Sequence, residues 1–215
     1  MAIAFETQRG ALIDACLQLA DQGYLAGTGG NLALRLDEAH FAVTPSAADY
    51  YQLRPQDIAV LRLDTLAQVQ GEMAPSVERG LHAALLRARP SFRASVHTHQ
   101  PLASAVALLN RSLPLSEPAD VADLGPCVQI VGYAPSGTAM LVSTLRRALR
   151  NDCHAYLLRN HGLVCTAADL AAAVPLMGRI EAAAAAHLRQ EASRLPMGHP
   201  LRELALEACG ATHFQ

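Results

Sequence analysis

The sequence predicts an α/β chain, α+β in its ordering, with a central mostly antiparallel sheet flanked by helices; three observations carry that reading. Alternating apolar runs follow one another early in the chain with no helix between them, as in "LALRL", "FAVT" and "DIAVLRL". Later strand-like and helix-like runs alternate, and "HAYLLRNHGLVC" reads as two strands around a tight reversal. Strand directly after strand argues against a strict βαβ repeat and for antiparallel neighbours.

The elements follow in order. A first helix runs from Glu6 to about Gln22: Leu12, Cys16 and Leu19, with Ile13, Leu17 and Ala20, make one broad apolar stripe, and Gly23 is its C-terminal cap. "GTGGN" (27–31) turns the chain into a strand whose Leu32, Leu34 and Leu36 alternate. "FAVT" and "DIAVLRL" are strands separated by the turn "PSAADYYQLRP". "SVERGLHAALLRA" is a helix with Ser76 as its N-cap, "FRASVHTH" a strand, and "PLASAVALL" a helix opened by Pro101. "NRSLPLSEPADVADLG" reads as loop, "CVQIVGY" as strand and "GTAMLVSTLRRAL" as helix. After the two strands of "HAYLLRNHGLVC", Thr166 begins a long helix to about Arg194 with an irregular start at Pro175, and "HPLRELALEACG" is a short terminal helix. No repeat or linker interrupts this order, so one domain is expected over residues 1–215.

Composition narrows the function. About half of the residues are apolar, the formal charge is −2, and no basic run is present, so a nucleic-acid footprint is missing. The N-terminal stretch carries Glu6, Arg9 and Asp14 among its apolar residues, which suits neither a signal segment nor a membrane span. A soluble, cytoplasmic protein is expected, with neither nucleic acid nor membrane as partner. Cys16, Cys127, Cys153, Cys165 and Cys209 form no Cys-x-x-Cys pair and read as reduced, structural thiols.

The chemistry gathers around "SVHTHQP". On a strand Ser95, His97 and His99 share one face, and Pro101 stops the strand where a helix takes over. Two imidazoles do not complete a coordination shell, and such a pair can equally face water. "RNHG" holds a third histidine, His161, on a reversal whose backbone Gly162 is expected to permit; a solvent-facing turn histidine is the alternative there. Glu78 lies one helical turn before Leu81 and His82 on a core-facing stripe, where a buried carboxylate needs a partner such as a cation. A surface Glu favoured by a helix N-terminus is the competing reading.

Taken together, "GTGGN", "TPSA", "APSVE", "VHTH", "LLNRSLP", "GYAPSGT" and "LLRNHGL" occur in an order and spacing that resemble the class II aldolase/adducin family over nearly the whole chain. The resemblance implies a class II aldolase-like three-layer fold, a homotetramer with sites at subunit interfaces, and lyase chemistry in carbohydrate metabolism. By the same resemblance His97, His99 and His161 match three Zn2+ ligands, with Mn2+ or Co2+ as alternatives, and Glu78 matches the catalytic acid/base and a resting metal ligand. The substrate implied is a small sugar phosphate whose anionic end maps to Gly30, Asn31, Ser46, Ala47 and Ser76. A Lewis acid on the ketone stabilises the enediolate that carbon–carbon cleavage leaves, and a nearby carboxylate can shuttle the proton. The same chemistry also serves a decarboxylase or dehydratase of a phosphorylated keto sugar acid; a non-catalytic adducin-like module is the reading from another class. Three departures stand out. Val77 replaces a serine, Ala47 replaces a glycine, and the family aldolases' two tyrosines have no counterpart, the loop reading "SEPADVADLG" and the last tyrosine being Tyr156.

Overall fold

The computed structural model describes residues 4–25 and 29–210, so Gly27 and Thr28 of "GTGGN" lie outside the described residues. The strands are β1 (Asn31–Arg35), β2 (His40–Val43), β3 (Ala59–Arg62), β4 (Gln68–Gln70), β5 (Ala94–Thr98), β6 (Leu113–Pro114), β7 (Cys127–Val131), β8 (Ala155–Leu158) and β9 (Gly162–Ala167). The helices are α1 (Glu6–Asp21), α2 (Arg79–Ala88), α3 (Pro101–Leu108), α4 (Pro118–Leu124), α5 (Ala139–Ala148), α6 (Leu170–Ser193) and α7 (Pro200–Gly210). The strands join in the order β4-β3-β2-β1-β5-β9-β8-β7-β6. Among the described strands every pair is antiparallel except β7 with β8.

Helices cover both faces. On one face Leu12 and Leu19 of α1, Leu102 and Val106 of α3, and Met177 and Ile180 of α6 pack on Leu32, Val96 and Leu163. On the other, Leu81 and Leu85 of α2 meet Leu141 and Leu145 of α5 over Tyr156 and Val164. Full burial of each such Leu stabilises the fold by about 1.5–3 kcal/mol before entropy is counted. The period of two along β5 sends Val96 to the first face, while Ser95 bonds to His82 of α2 on the second. No helix among the described residues is long and apolar enough to cross a membrane.

Four local expectations are corrected. The stretch 110–125 is not all loop: β6 pairs with β7, and α4 opens on Pro118 and ends before Gly125 at φ 90°. β4 was not foreseen because "QVQ" offers one apolar residue on a largely exposed edge. The last long helix starts at Leu170 rather than Thr166, because Thr166 still pairs with Ser95 and Asp169 accepts from the Ala172 N–H at 2.8 Å; Pro175 lies inside it. Likewise α2 starts at Arg79, with Glu78 in the N-cap position in place of Ser76. Pro75 bridges to Pro45 and the Ser76 N–H donates to the Thr44 carbonyl at 3.0 Å, so residues 75–76 are tied to the sheet before the helix can begin.

Candidate active site

Two adjacent central strands bring the three histidines together. His97 is the penultimate residue of β5 and His99 follows the strand, its N–H held by the Tyr24 carbonyl at 3.2 Å. His161 sits on the reversal between β8 and β9, and the pairing of His97 with Val164 sets this reversal beside the end of β5. The left-handed residue of the reversal is Asn160 (φ 56°), not Gly162. Gly162 is needed for a different reason: a Cβ there would strike the Thr98 carbonyl oxygen and come within 2.8 Å of the His99 ring. The expectation that Gly162 serves the turn's backbone is therefore corrected; it is the spacer that lets two histidine-bearing segments touch.

The ring nitrogens point inward. One nitrogen from each of His97, His99 and His161 lies within 4.8 Å of the other two. His97 donates its Nδ1–H to the Leu163 carbonyl at 2.7 Å, which leaves Nε2 as a lone pair. That lone pair faces His99 Nε2 at 3.0 Å and Glu78 Oε2 at 3.2 Å, and Glu78 Oε1 lies 3.2 Å from His161 Nε2. Burial pushes the His97 pKa down to about 3 and lowers that of His99, so both rings are neutral. Neutral imidazoles and a carboxylate aimed at one point are the donor set of a divalent cation. A tetrahedral ion with bonds of about 2.0–2.2 Å spaces its donors roughly 3.3 Å apart, close to the 3.0 Å between His97 and His99 and the 3.2 Å from Glu78 to His97 and to His161.

Glu78 is the buried carboxylate of this cluster. Burial alone would raise its pKa, but the hydrogen bonds from His161 and from the Asn31 N–H outweigh it and hold the carboxyl below the ordinary range. Asn31 Nδ2 donates to Oε2 at 2.8 Å, and the Ser136 hydroxyl donates to Oε1 at 2.8 Å. Ser136 was not foreseen as a site residue; its signal was the "GYAPSGT" turn, whose position over the carboxylate depends on the packing of α5. His82, also not foreseen, stands behind Asn31, with Nε2 2.6 Å from Oδ1.

Next to the cluster is a cavity of about 160 Å³ lined by Gly30, Asn31, Ser46, Ala47 and Ser76 together with Glu78, His99, His161 and Ser136. All five residues expected at the anionic end thus border the same space as the cluster. The Ser46 hydroxyl accepts from the Val77 N–H and that of Ser76 from the Glu78 N–H, both at 3.1 Å, which leaves each hydroxyl proton free to turn toward a ligand. Ala47 holds φ 51°, a conformation that a side chain disfavours. Ala47→Gly is expected to raise stability by about 0.5–1 kcal/mol in urea unfolding, after allowance for glycine's looser unfolded chain. A loss of stability would show that Ala47 is not strained.

Comparison with known proteins identifies the family. The profile of the Class II Aldolase and Adducin N-terminal domain matches residues 10–188. A 5-deoxy-D-ribulose 1-phosphate aldolase of Bacillus thuringiensis serovar kurstaki is 33% identical over 165 residues, 76% of either chain. A methylthioribulose-1-phosphate dehydratase of Yersinia pestis is 37% identical over 105 residues, 49% of this chain and 47% of that one. Among solved structures an L-fuculose 1-phosphate aldolase superposes with a TM-score of 0.81 at 29% identity, covering 97% of both chains.

Proposed function

The chain belongs to the class II aldolase and adducin family, and from that premise we propose that it is a zinc-dependent lyase that cleaves, or in reverse forms, a carbon–carbon bond in a small ketose phosphate. The observation that carries the reading is the convergence of His97, His99, His161 and Glu78 beside a cavity lined with hydroxyls and backbone amides. Mn2+ or Co2+ suits the same donor set. The sequence contains no lysine, so the amine that a Schiff-base route would need is not among these 215 residues.

A cation held by the three imidazoles would supply the positive charge that stabilises the negative charge left on the ketone's α-carbon and oxygen by cleavage. The remaining work falls to side chains. Glu78 holds and moves the proton at the carbon that carries the negative charge, while Asn31 and Ser136 keep its two oxygens in place. The Ser46 and Ser76 hydroxyls, with backbone N–H groups near Gly30, Asn31 and Ala47, hold the phosphate and so fix where the ketone lies. The proposal includes one domain and a cytoplasmic location, as the composition and element order suggest, and a homotetramer with sites at subunit interfaces, as the family resemblance implies.

A second reading, a dehydratase, is favoured by the Yersinia pestis relative. Product analysis separates the two. Zinc-loaded protein given 5-deoxy-D-ribulose 1-phosphate is expected to release acetaldehyde and dihydroxyacetone phosphate, measured by NMR. A product lighter by one water, with no aldehyde, would replace the aldolase reading with the dehydratase one.

A further inference from the structure

His82 does not border the cavity, yet it is fully buried one helical turn beyond Glu78 and hydrogen-bonded at both ring nitrogens. One charge fixes the direction of every bond around it. Because Glu78 is an anion, Asn31 must turn its NH2 toward Oε2; its carbonyl there would set acceptor against acceptor. Asn31 Oδ1 then faces His82 Nε2 at 2.6 Å, and that nitrogen must carry the proton. His82 Nδ1 is consequently a lone pair, and the Ser95 hydroxyl donates to it at 2.7 Å. Burial keeps the ring neutral, with its pKa pushed down to about 4, so this arrangement persists at neutral pH. The run from Ser95 through His82 and Asn31 to Glu78 is buried throughout. Each member has a role only one way round.

We propose that His82 is a positioning residue: by donating to Asn31 Oδ1 it locks the amide with its N–H toward Glu78, and so fixes the carboxylate for proton transfer. The proposal rests on the lyase reading for the importance of Glu78, but not for the hydrogen-bond direction. A flipped Asn31 would repel the carboxylate it now steadies and would turn a carbonyl toward the anionic end. A histidine that served packing alone would have no such link to the site's chemistry.

Two measurements test it. In the 15N-histidine-labelled protein, NMR is expected to find His82 protonated on Nε2 and His97 on Nδ1. Solvent-deuterium exchange into dihydroxyacetone phosphate by zinc-loaded protein provides the second. His82→Phe, which removes the donor, is expected to exchange about ten- to a hundredfold more slowly while still binding one zinc per chain. His82→Gln, whose amide N–H can reach Asn31 Oδ1, is expected to stay within a few-fold of wild type. A purely structural role would lower melting temperatures without separating the exchange rates of the two variants. An Nδ1–H tautomer at His82, or wild-type exchange in His82→Phe, overturns the proposal. If His82→Phe does not fold, the tautomer decides. Should the wild type itself fail to exchange, the lyase reading fails, and the tautomer still decides the positioning claim.

Discussion

Glu78→Gln is expected to fold, to keep its melting temperature within a few degrees, and to exchange the α-proton of dihydroxyacetone phosphate about a hundred- to ten-thousand-fold more slowly than wild type. Glutamine fills the same space, and its carbonyl oxygen can still accept from the Asn31 N–H that now meets Oε2. Its NH2 then faces Ser136, whose hydroxyl can rotate from donor to acceptor. What the substitution removes is the ability to take up and return a proton. Exchange in the variant within a few-fold of wild type would mean that another group carries the proton. Loss of the fold would mean that the carboxylate is structural.

Gly162→Ala is expected to damage the cluster without altering any of its donors. The added Cβ would collide with the Thr98 carbonyl and approach the His99 ring to 2.8 Å and the His97 ring to 3.3 Å. β5 and β9 lie side by side within the sheet, so neither backbone can withdraw without disturbing a second neighbour. Overpacking of this kind costs about 1–3 kcal/mol, and the rings are the softer atoms that must move. Urea unfolding should register the lost stability, and chelator competition should show zinc affinity lower by about tenfold or more. Zinc affinity equal to wild type would show that the spacing at Gly162 does not govern the cluster.

The contrast between Gly162 and the histidines shows what the sequence could disclose. The shared face of His97 and His99 is legible from strand periodicity, since only the period of two is required. His161 is legible as a turn residue, but its meeting with the pair depends on the pairing of β5 with β9, which joins segments far apart in the chain. A glycine in a tight reversal invites a backbone explanation, and Asn160 takes the left-handed position instead; the true reason, a neighbouring strand's carbonyl, is a tertiary contact. His82 and Ser136 were missed for a related reason. Their roles depend on which side chains from α2 and from the turn before α5 reach the same carboxylate system, and residue spacing does not encode that reach. The short pieces missed in the fold, β4 and β6, have too few residues to show a period, whereas α4 carried readable signals in Pro118 and Gly125. The expected anionic end rests on the resemblance, and the structure adds a competing use for Asn31, whose amide is engaged by Glu78 and His82.

The central claim is that a cation held by His97, His99 and His161 is required for cleavage, and a metal titration of turnover tests it most directly. Protein stripped with a chelator and dialysed is given 5-deoxy-D-ribulose 1-phosphate and increasing Zn2+, with acetaldehyde release as the signal. The account predicts no turnover without metal, a linear rise, and a plateau at one zinc per chain, with no such rise in His97→Ala. Full turnover in the metal-free protein, or a zinc-dependent rise that survives His97→Ala unchanged, would contradict it.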